Sequence, residues 1–185
     1  MKKGKLIVIS GASGVGKGTV LNLMMGKRDD FRFSVSATTR PPRPGETEGV
    51  HYYFVTKEQF EDMIAQDAFL EYDAHNANYY GTPRAQAQEK MELGHVLLDI
   101  DVNGAKQVKE RSPEAVLFFI MPPSVEELER RLRGRGDTPE DQIRIRMERS
   151  RWEMEQSSWY DYVVINDDAE RCADEILNII ANLAD

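Results

Sequence analysis

The chain has 185 residues, a net charge of −8 at pH 7 and 41% hydrophobic residues, enough for one compact domain or a core with insertions. No apolar run approaches the length needed to span a bilayer, and the acidic balance argues against a general nucleic-acid binder. The single cysteine, Cys172, excludes an internal disulfide and a Cys-based metal site, and the three histidines, His51, His75 and His95, form no metal-ligand pattern.

Residues 5–10 read as a buried strand bounded by Gly11. The basic start followed by apolar Leu6 to Ile9 superficially suggests a secretory leader, but the run is short and ends in glycines. A cytoplasmic location is therefore expected. Residues 20–24 carry the apolar positions of a helix leaving the glycine loop, and 31–36 return to extended chain. Residues 39–49 hold three prolines and two glycines, which predicts a shaped loop. Residues 52–55 suit a short strand. Thr56 can cap the next helix, with Gln59 three residues on and Phe60, Met63 and Ile64 as its apolar stripe.

Residues 69–80 are expected to be irregular or short strands around a polar site. Pro83 can open a helix that Gly94 closes. Residues 96–100 read as a second buried strand, 104–109 as the start of a helix, and 115–121 as a strongly apolar strand stopped by Pro122 and Pro123. Ser124 can cap a helix with Glu127 at its third position. Residues 128–154 are charged and helical on both sides of a 134–136 turn, 162–165 form a last strand, and 169–183 close as an amphipathic helix. Apolar strands alternating with helices predict an α/β fold, a mostly parallel sheet flanked by helices.

The strongest local signal is Gly11-Ala12-Ser13-Gly14-Val15-Gly16-Lys17-Gly18-Thr19. It has the glycine spacing and lysine of a P-loop, between a strand and a helix. Inward-turned backbone N–H groups and a helix N-terminus suit phosphate oxygens, and Lys17 can reach the outer phosphates. Gly18 stands where a serine or threonine commonly meets magnesium, and Thr19 offers its hydroxyl one position later. Waters or an acidic side chain are expected to take more of the metal's shell. Asp99, at the end of the predicted 96–100 strand, can face a triphosphate and its magnesium, directly or through water. Asp101 points the same way if the strand continues. The loop alone leaves ATPases, GTPases, kinases and transport motors open.

Arg40 and Arg43 lie in the proline-stiffened loop. Arginine forks bind phosphate through paired hydrogen bonds, and Tyr52 and Tyr80 add hydroxyl donors. Together they suit the phosphate of an acceptor nucleotide.

The segments SVSATTRPPRPGE, HYYFV, FLEY, NYYGTP, LLDIDVNGA, PPSVEELERRLRGRG and YDYVVINDD, with the phosphate loop, make the chain closely resemble the guanylate kinase family over nearly its whole length. The resemblance implies the P-loop nucleotide-kinase fold, with core regions 1–35, 85–125 and 157–185, a GMP-binding region 36–84 and a lid with flanking helices 126–156. It implies magnesium-dependent, reversible phosphoryl transfer from ATP to GMP, with dGMP commonly accepted. It gives Arg40, Arg43, Tyr52 and Tyr80 to the GMP phosphate, places Ser36, Glu71, Thr82 and Asp101 near guanine, and adds Glu46 and Gly81 to the GMP-binding residues. Arg133, Arg135 and Arg146 become the lid arginines that approach ATP, and Asn166 the adenine-side contact. Glu71 can accept from guanine N1–H and its amino group, a donor pair adenine lacks. Asp167 is a candidate cap for the last helix. Ala12 departs from a common proline, Tyr72 from a frequent tryptophan and His51 from an often acidic residue. ATP and GMP are the expected partners; no nucleic acid, membrane or obligatory protein partner is expected, and a homo-oligomer is left open. The alternatives are a non-catalytic binding module on the same fold, another nucleoside monophosphate kinase, and a P-loop ATPase without an acceptor.

Overall fold

The computed structural model describes residues 4–75, 77–134 and 139–183. Continuous apolar runs build its central strands. β1 (Leu6–Gly11) and β8 (Val116–Met121) are buried at nearly every position, the pattern of strands covered on both faces. With β2 (Phe31–Phe33), β7 (His95–Asp99) and β9 (Tyr162–Ile165) they form a five-stranded sheet of order β2-β7-β1-β8-β9. β2 runs parallel to β7, and β8 parallel to β9. The chain divides into two compact units. One takes the residues up to Val8 with Asp30–Val116; the other takes Ile9–Asp29 with the chain from Leu117 onward.

In the second unit, α1 (Lys17–Lys27) packs on α7 (Ala169–Ala181). The helical period of α7 buries Cys172, Ala173, Ile176, Leu177 and Ile180 on one stripe. Burial pushes the Cys172 thiol up to about 12, so it is an inert core residue. Asp168, rather than Asp167, caps α7 by accepting from Arg171 N–H. Asp167 instead accepts from the Asp168 amide and pairs with Arg171. α5 (Val125–Arg133) is capped by Ser124, as its sequence predicts. α6 (Glu140–Glu155) turns Ile143, Met147, Ser150 and Glu153 inward.

The first unit carries a four-stranded mixed sheet of order β4-β3-β6-β5: β4 (Tyr52–Phe54), β3 (Ser36–Thr38), β6 (Asn78–Pro83) and β5 (Phe69–His75). β3 is parallel to β4 and antiparallel to β6, which is antiparallel to β5. Phe69–His75 and Asn78–Pro83 are thus paired strands, the second of the two readings that the sequence left open for 69–80. Glu71, Tyr72, Asp73 and Ala74 alternate polar and apolar, the pattern of a strand with one core face. Opposed residues point to one face, and the register divides the sheet cleanly. One face packs Ala37, Tyr53, Phe69, Tyr72 and Tyr79 around Phe60 of α2 (Lys57–Ala65), where Phe60 stacks on Phe69 and Tyr79. The other face carries Ser36, Tyr52, Glu71, Tyr80 and Thr82. α2 begins with the predicted Thr56–Gln59 capping box.

α3 (Arg84–Met91) starts directly after Pro83. α4 (Val102–Arg111) follows β7 after a short turn. β7 ends at Asp99, so Asp101 is not a continuing strand residue. It is the N-cap of α4, accepting from Gly104 N–H at 2.9 Å. Among the described residues, no helix is long and apolar enough to cross a membrane.

Candidate functional site

The phosphate loop leaves β1 and enters α1 through two left-handed glycines, Gly14 at φ 87° and Gly16 at φ 94°, which only glycine adopts without strain. Both are also sterically closed. A Cβ on Gly14 would lie 2.6 Å from Leu132 Cδ2, and one on Gly16 would lie 2.9 Å from Asn166 Nδ2. Gly18 differs, with nothing within 4 Å of a Cβ, so the missing hydroxyl at this position is not a steric demand. Lys17 is the first residue of α1, where the helix N-terminus favours anions. Thr19 is exposed beside Gly18.

Side chains from α5, from α6 and from the residue that follows β9 hold this loop. Ser13 N–H donates to Glu153 Oε2 at 3.0 Å, and Ser150 Oγ donates to the Ser13 carbonyl at 3.2 Å. The Val15 carbonyl accepts from Arg131 Nη1 at 3.1 Å and from Asn166 Nδ2 at 2.8 Å. Arg131 is itself gripped by Glu127, whose carboxyl is held down to about 2 by Arg130 and Arg131. Asn166 is buried and its amide is spent on the loop. It lies beside the phosphate loop, and its side-chain hydrogen bond goes to the loop backbone.

Of the lid arginines, Arg133 donates to Glu129 and, through both terminal nitrogens, to Glu140. These two acids raise its already high pKa. Arg146 is half-buried on α6. Arg135 lies outside the described residues.

The second group of site residues gathers on the open face of the four-stranded sheet. Ser36 lies opposite Tyr52, Thr38 opposite Tyr80, and Glu71 opposite Thr82. Tyr52 and Tyr80 meet edge to face with centroids 6.2 Å apart, and the Arg40 guanidinium sits 5.4 Å from the Tyr52 ring centre. Arg40 forms a two-pronged pair with Glu46, at 3.0 and 2.9 Å, and Glu46 and, less strongly, the nearby Tyr80 hydroxyl raise its pKa. Glu46 accepts from the Arg43 amide as well. The Arg40 fork, then the Arg43 amide, hold the Glu46 carboxyl below the usual carboxylate range. Glu46 is therefore the residue that shapes the 40–46 turn, leaving the Arg43 side chain exposed. His51 accepts from the Thr47 amide through Nδ1, closing the turn that leads into Tyr52. Gly81 is buried where a Cβ would come within 2.9 Å of the Glu71 carbonyl and two side chains.

Glu71 is one of the two carboxylates buried among the described residues. Thr82 Oγ1 donates to it at 2.5 Å. Burial raises its pKa; the Thr82 hydrogen bond opposes this, and the neighbouring Asp101 charge adds to it. A Cβ on Gly104 would stand 3.3 Å from Glu71 Oε2, so α4 leaves the carboxylate just enough room. Glu71, Thr82 and Asp101 thus form one acceptor-rich edge. Asp99 is exposed at the end of β7.

Several supporting residues were not singled out as functional in the sequence. Gln107 accepts from Tyr72 N–H at 3.2 Å and donates to the Tyr72 carbonyl at 2.9 Å. It docks β5 on α4 immediately after Glu71. Arg111 bonds Gln107 and the Leu70 carbonyl. Ser150 and Glu153 carried a readable signal, since they are polar residues at helix-core spacing from Ile143 and Met147.

A family profile described as "Guanylate kinase" matches residues 3–183. The chain is 48% identical to the guanylate kinase of Prochlorococcus marinus subsp. pastoris over 177 residues, covering 95% of this chain and 96% of that one. It is 48% identical to the guanylate kinase of Neisseria gonorrhoeae over 180 residues, covering 97% and 88%. Among solved structures, the guanylate kinase of Anaplasma phagocytophilum superposes with a TM-score of 0.72 at 34% identity, covering 98% of this chain and 86% of that one.

Proposed function

The chain belongs to the guanylate kinase family, and from that premise we propose how its residues transfer the γ-phosphoryl group of ATP to GMP, giving ADP and GDP. The observation that carries this reading is the Glu71–Thr82 pair, a buried carboxylate and hydroxyl set on the same sheet face as Arg40, Tyr52 and Tyr80. An ionised Glu71 accepts from guanine N1–H and the 2-amino group. Thr82 and Ser36 face the base edge, and Asp101 stands beside Glu71. Arg40, Arg43, Tyr52 and Tyr80 hold the GMP phosphate, with Glu46 orienting Arg40. AMP presents no matching donor pair, so the buried Glu71 would keep only its Thr82 hydrogen bond, which discriminates strongly.

The amides between Gly14 and Thr19 and the Lys17 ammonium receive the ATP phosphates. Lys17 offsets charge developing on the transferred group. Arg133 and Arg146, with Arg135, supply further positive charge when the lid approaches, for which Arg133 must exchange Glu129 and Glu140 for phosphate. A GMP phosphate oxygen, already anionic near neutral pH, is the nucleophile. No covalent enzyme intermediate and no strong general base are needed. Excluding water protects ATP from hydrolysis.

Magnesium fits this donor set as an ion held mainly by ATP phosphates and water. No cluster of three or more acidic, histidine or cysteine side chains suited to a metal is present among the described residues, and magnesium commonly keeps several waters. Asp99 and the Thr19 hydroxyl would hold it through water, where its charge neutralises the phosphate oxygens. A cytoplasmic setting suits an enzyme that draws on ATP and GMP.

ADP release measured with ATP, magnesium and each of GMP, dGMP, AMP, CMP and UMP tests the reading. It predicts turnover that requires GMP or dGMP, with the other monophosphates poor. Folded protein that makes no nucleoside diphosphate from any purine monophosphate would end it.

A further inference from the structure

In the unit that carries the phosphate loop, three buried polar side chains, Ser150, Glu153 and Asn166, all end on the loop's own backbone. Two of them act as a clamp. Ser150 and Glu153 lie three residues apart on α6 and so share one helix face. They take both backbone groups of a single residue: Glu153 Oε2 accepts from Ser13 N–H, and Ser150 Oγ donates to the Ser13 carbonyl.

Packing alone does not account for Glu153. A buried carboxylate costs stability unless hydrogen bonds and opposite charge compensate. Here the compensation is the Ser13 amide together with Arg149 Nε, 2.9 Å from Oε1. A leucine would fill the same stripe as Ile143 and Met147 without desolvating a charge. A carboxylate is also the wrong sign beside a loop that must receive an anion. The hydrogen bond to Ser13 is what an apolar side chain cannot supply.

We propose that Glu153, with Ser150, is a positioning residue for ATP. Gripping Ser13 through its N–H and C=O fixes the orientation of the peptide units that enter Gly14. The amides downstream then converge on the phosphates without being ordered at the moment of binding, and less ordering on binding means tighter binding. The clamp touches neither nucleotide. Because it is built on α6, the helix that follows the lid segment, mutations on that helix reach the phosphate site through Ser13. This inference rests on ATP being the ligand of the loop.

The test uses the full chain with Glu153→Ala, Glu153→Gln and Ser150→Ala. KM is measured separately for ATP and GMP, binding of a non-hydrolysable ATP analogue by calorimetry, and the thermal midpoint of each variant. Glu153→Ala should raise KM for ATP and the analogue Kd about tenfold, equivalent to about 1.4 kcal/mol, with KM for GMP within about twofold of the parent. Glu153→Gln keeps an oxygen that can accept from Ser13 and should return to within about threefold. Ser150→Ala removes only a hydroxyl and should raise both ATP constants about threefold; it decides the matter if Glu153→Ala does not fold. Unchanged ATP constants in the folded variants overturn the proposal. So does a Gln variant as weak as the Ala variant, or an equal rise in both KM values alongside a lowered midpoint. Parent turnover that requires GMP is checked first. Its absence counts against the activity, while the analogue titration still reads the clamp.

Discussion

Replacing Glu71 with glutamine separates the guanine-reading role of this side chain from its cost to the fold. The carboxylate is buried, holds one hydrogen bond from Thr82 at 2.5 Å and faces Asp101. Glutamine has nearly the same shape, and its carbonyl oxygen can still accept from Thr82. Toward guanine, one acceptor becomes an NH2 donor facing a donor. That loses one charge-assisted hydrogen bond, about 1.5–3 kcal/mol, and leaves a buried donor unpaired, about 1–3 kcal/mol more. The sum, roughly 2.5–6 kcal/mol, corresponds to a rise in KM for GMP of about a hundredfold or more. Stability should move the other way. Burial raises the Glu71 pKa above its ordinary 4.5. A raised acid contributes stability fully below 4.5 and loses it as pH climbs through the folded value. Glu71→Gln removes this loss, so its thermal midpoint should exceed that of the parent at pH 8, with the gap narrowing toward pH 4.5. The same titration makes KM for GMP in the parent rise as pH falls through the Glu71 range, because only the ionised form accepts both donors. Coupled ADP assays with GMP and AMP, and calorimetry across pH, read these quantities. A Gln variant with an unchanged KM for GMP, or a midpoint gap that does not grow with pH, would refute the assignment.

Three further changes have distinct signatures. Lys17→Ala should lower kcat about a hundredfold or more, the scale of losing a preorganised charge contact in the transition state, with a thermal midpoint within a few degrees of the parent. Arg43→Ala should raise KM for GMP about tenfold and leave stability unchanged, since the exposed side chain is removed while its backbone amide still bonds Glu46; unchanged GMP kinetics would take Arg43 out of the phosphate site. Gln107→Leu leaves the Tyr72 N–H and carbonyl without their side-chain partners and should cost about 1–3 kcal/mol of stability. It should also raise KM for GMP but not for ATP, and equal effects on both substrates would make the α4–β5 bond purely structural.

The tyrosine doublets show how far local pattern carried the reading. Tyr52-Tyr53 and Tyr79-Tyr80 each lie in a strand, and a period of two sends one ring of each pair to the core and the other to the site. Naming Tyr52 and Tyr80 as phosphate ligands therefore also implied that Tyr53 and Tyr79 pack inward, which they do around Phe60. The strand pair that contains Glu71 follows the same rule, although the sequence left 69–80 open between irregular chain and short strands. Its site face is polar and its other face is core, so Glu71, Tyr72, Asp73 and Ala74 alternate as a half-buried strand does; what the local pattern leaves out is the partner strand and its register. Asp101 was aligned with Asp99 only on the condition that the strand continued, with helix capping as the other reading, because a cap and a strand end can carry the same residue; β7 ends at Asp99 and Asp101 caps α4. What distinguishes them is the amide of Gly104, three residues on.

The phosphate loop marks the boundary between what spacing can and cannot reveal. Its glycines, lysine and flanking strand and helix are local, and all were readable. The partners that hold it come from the far side of the sequence: Arg131, Ser150, Glu153 and Asn166 lie more than a hundred residues away. Nothing in their spacing names Ser13 or Val15 as the target. A trace of the arrangement was still present, because α6 places a serine and a glutamate on its buried stripe, in conflict with the pattern of an ordinary core helix. Such local conflicts are costly unless something offsets them, and in a stable chain they concentrate where function requires them. The same reasoning applies in reverse to Gly18. The open space around it shows that its missing side chain answers no packing demand, so a Gly18→Ser chain should fold normally. Raised magnesium affinity in that chain would identify the hydroxyl as the element this loop does without, whereas impaired folding would show that position 18 is constrained by the backbone after all.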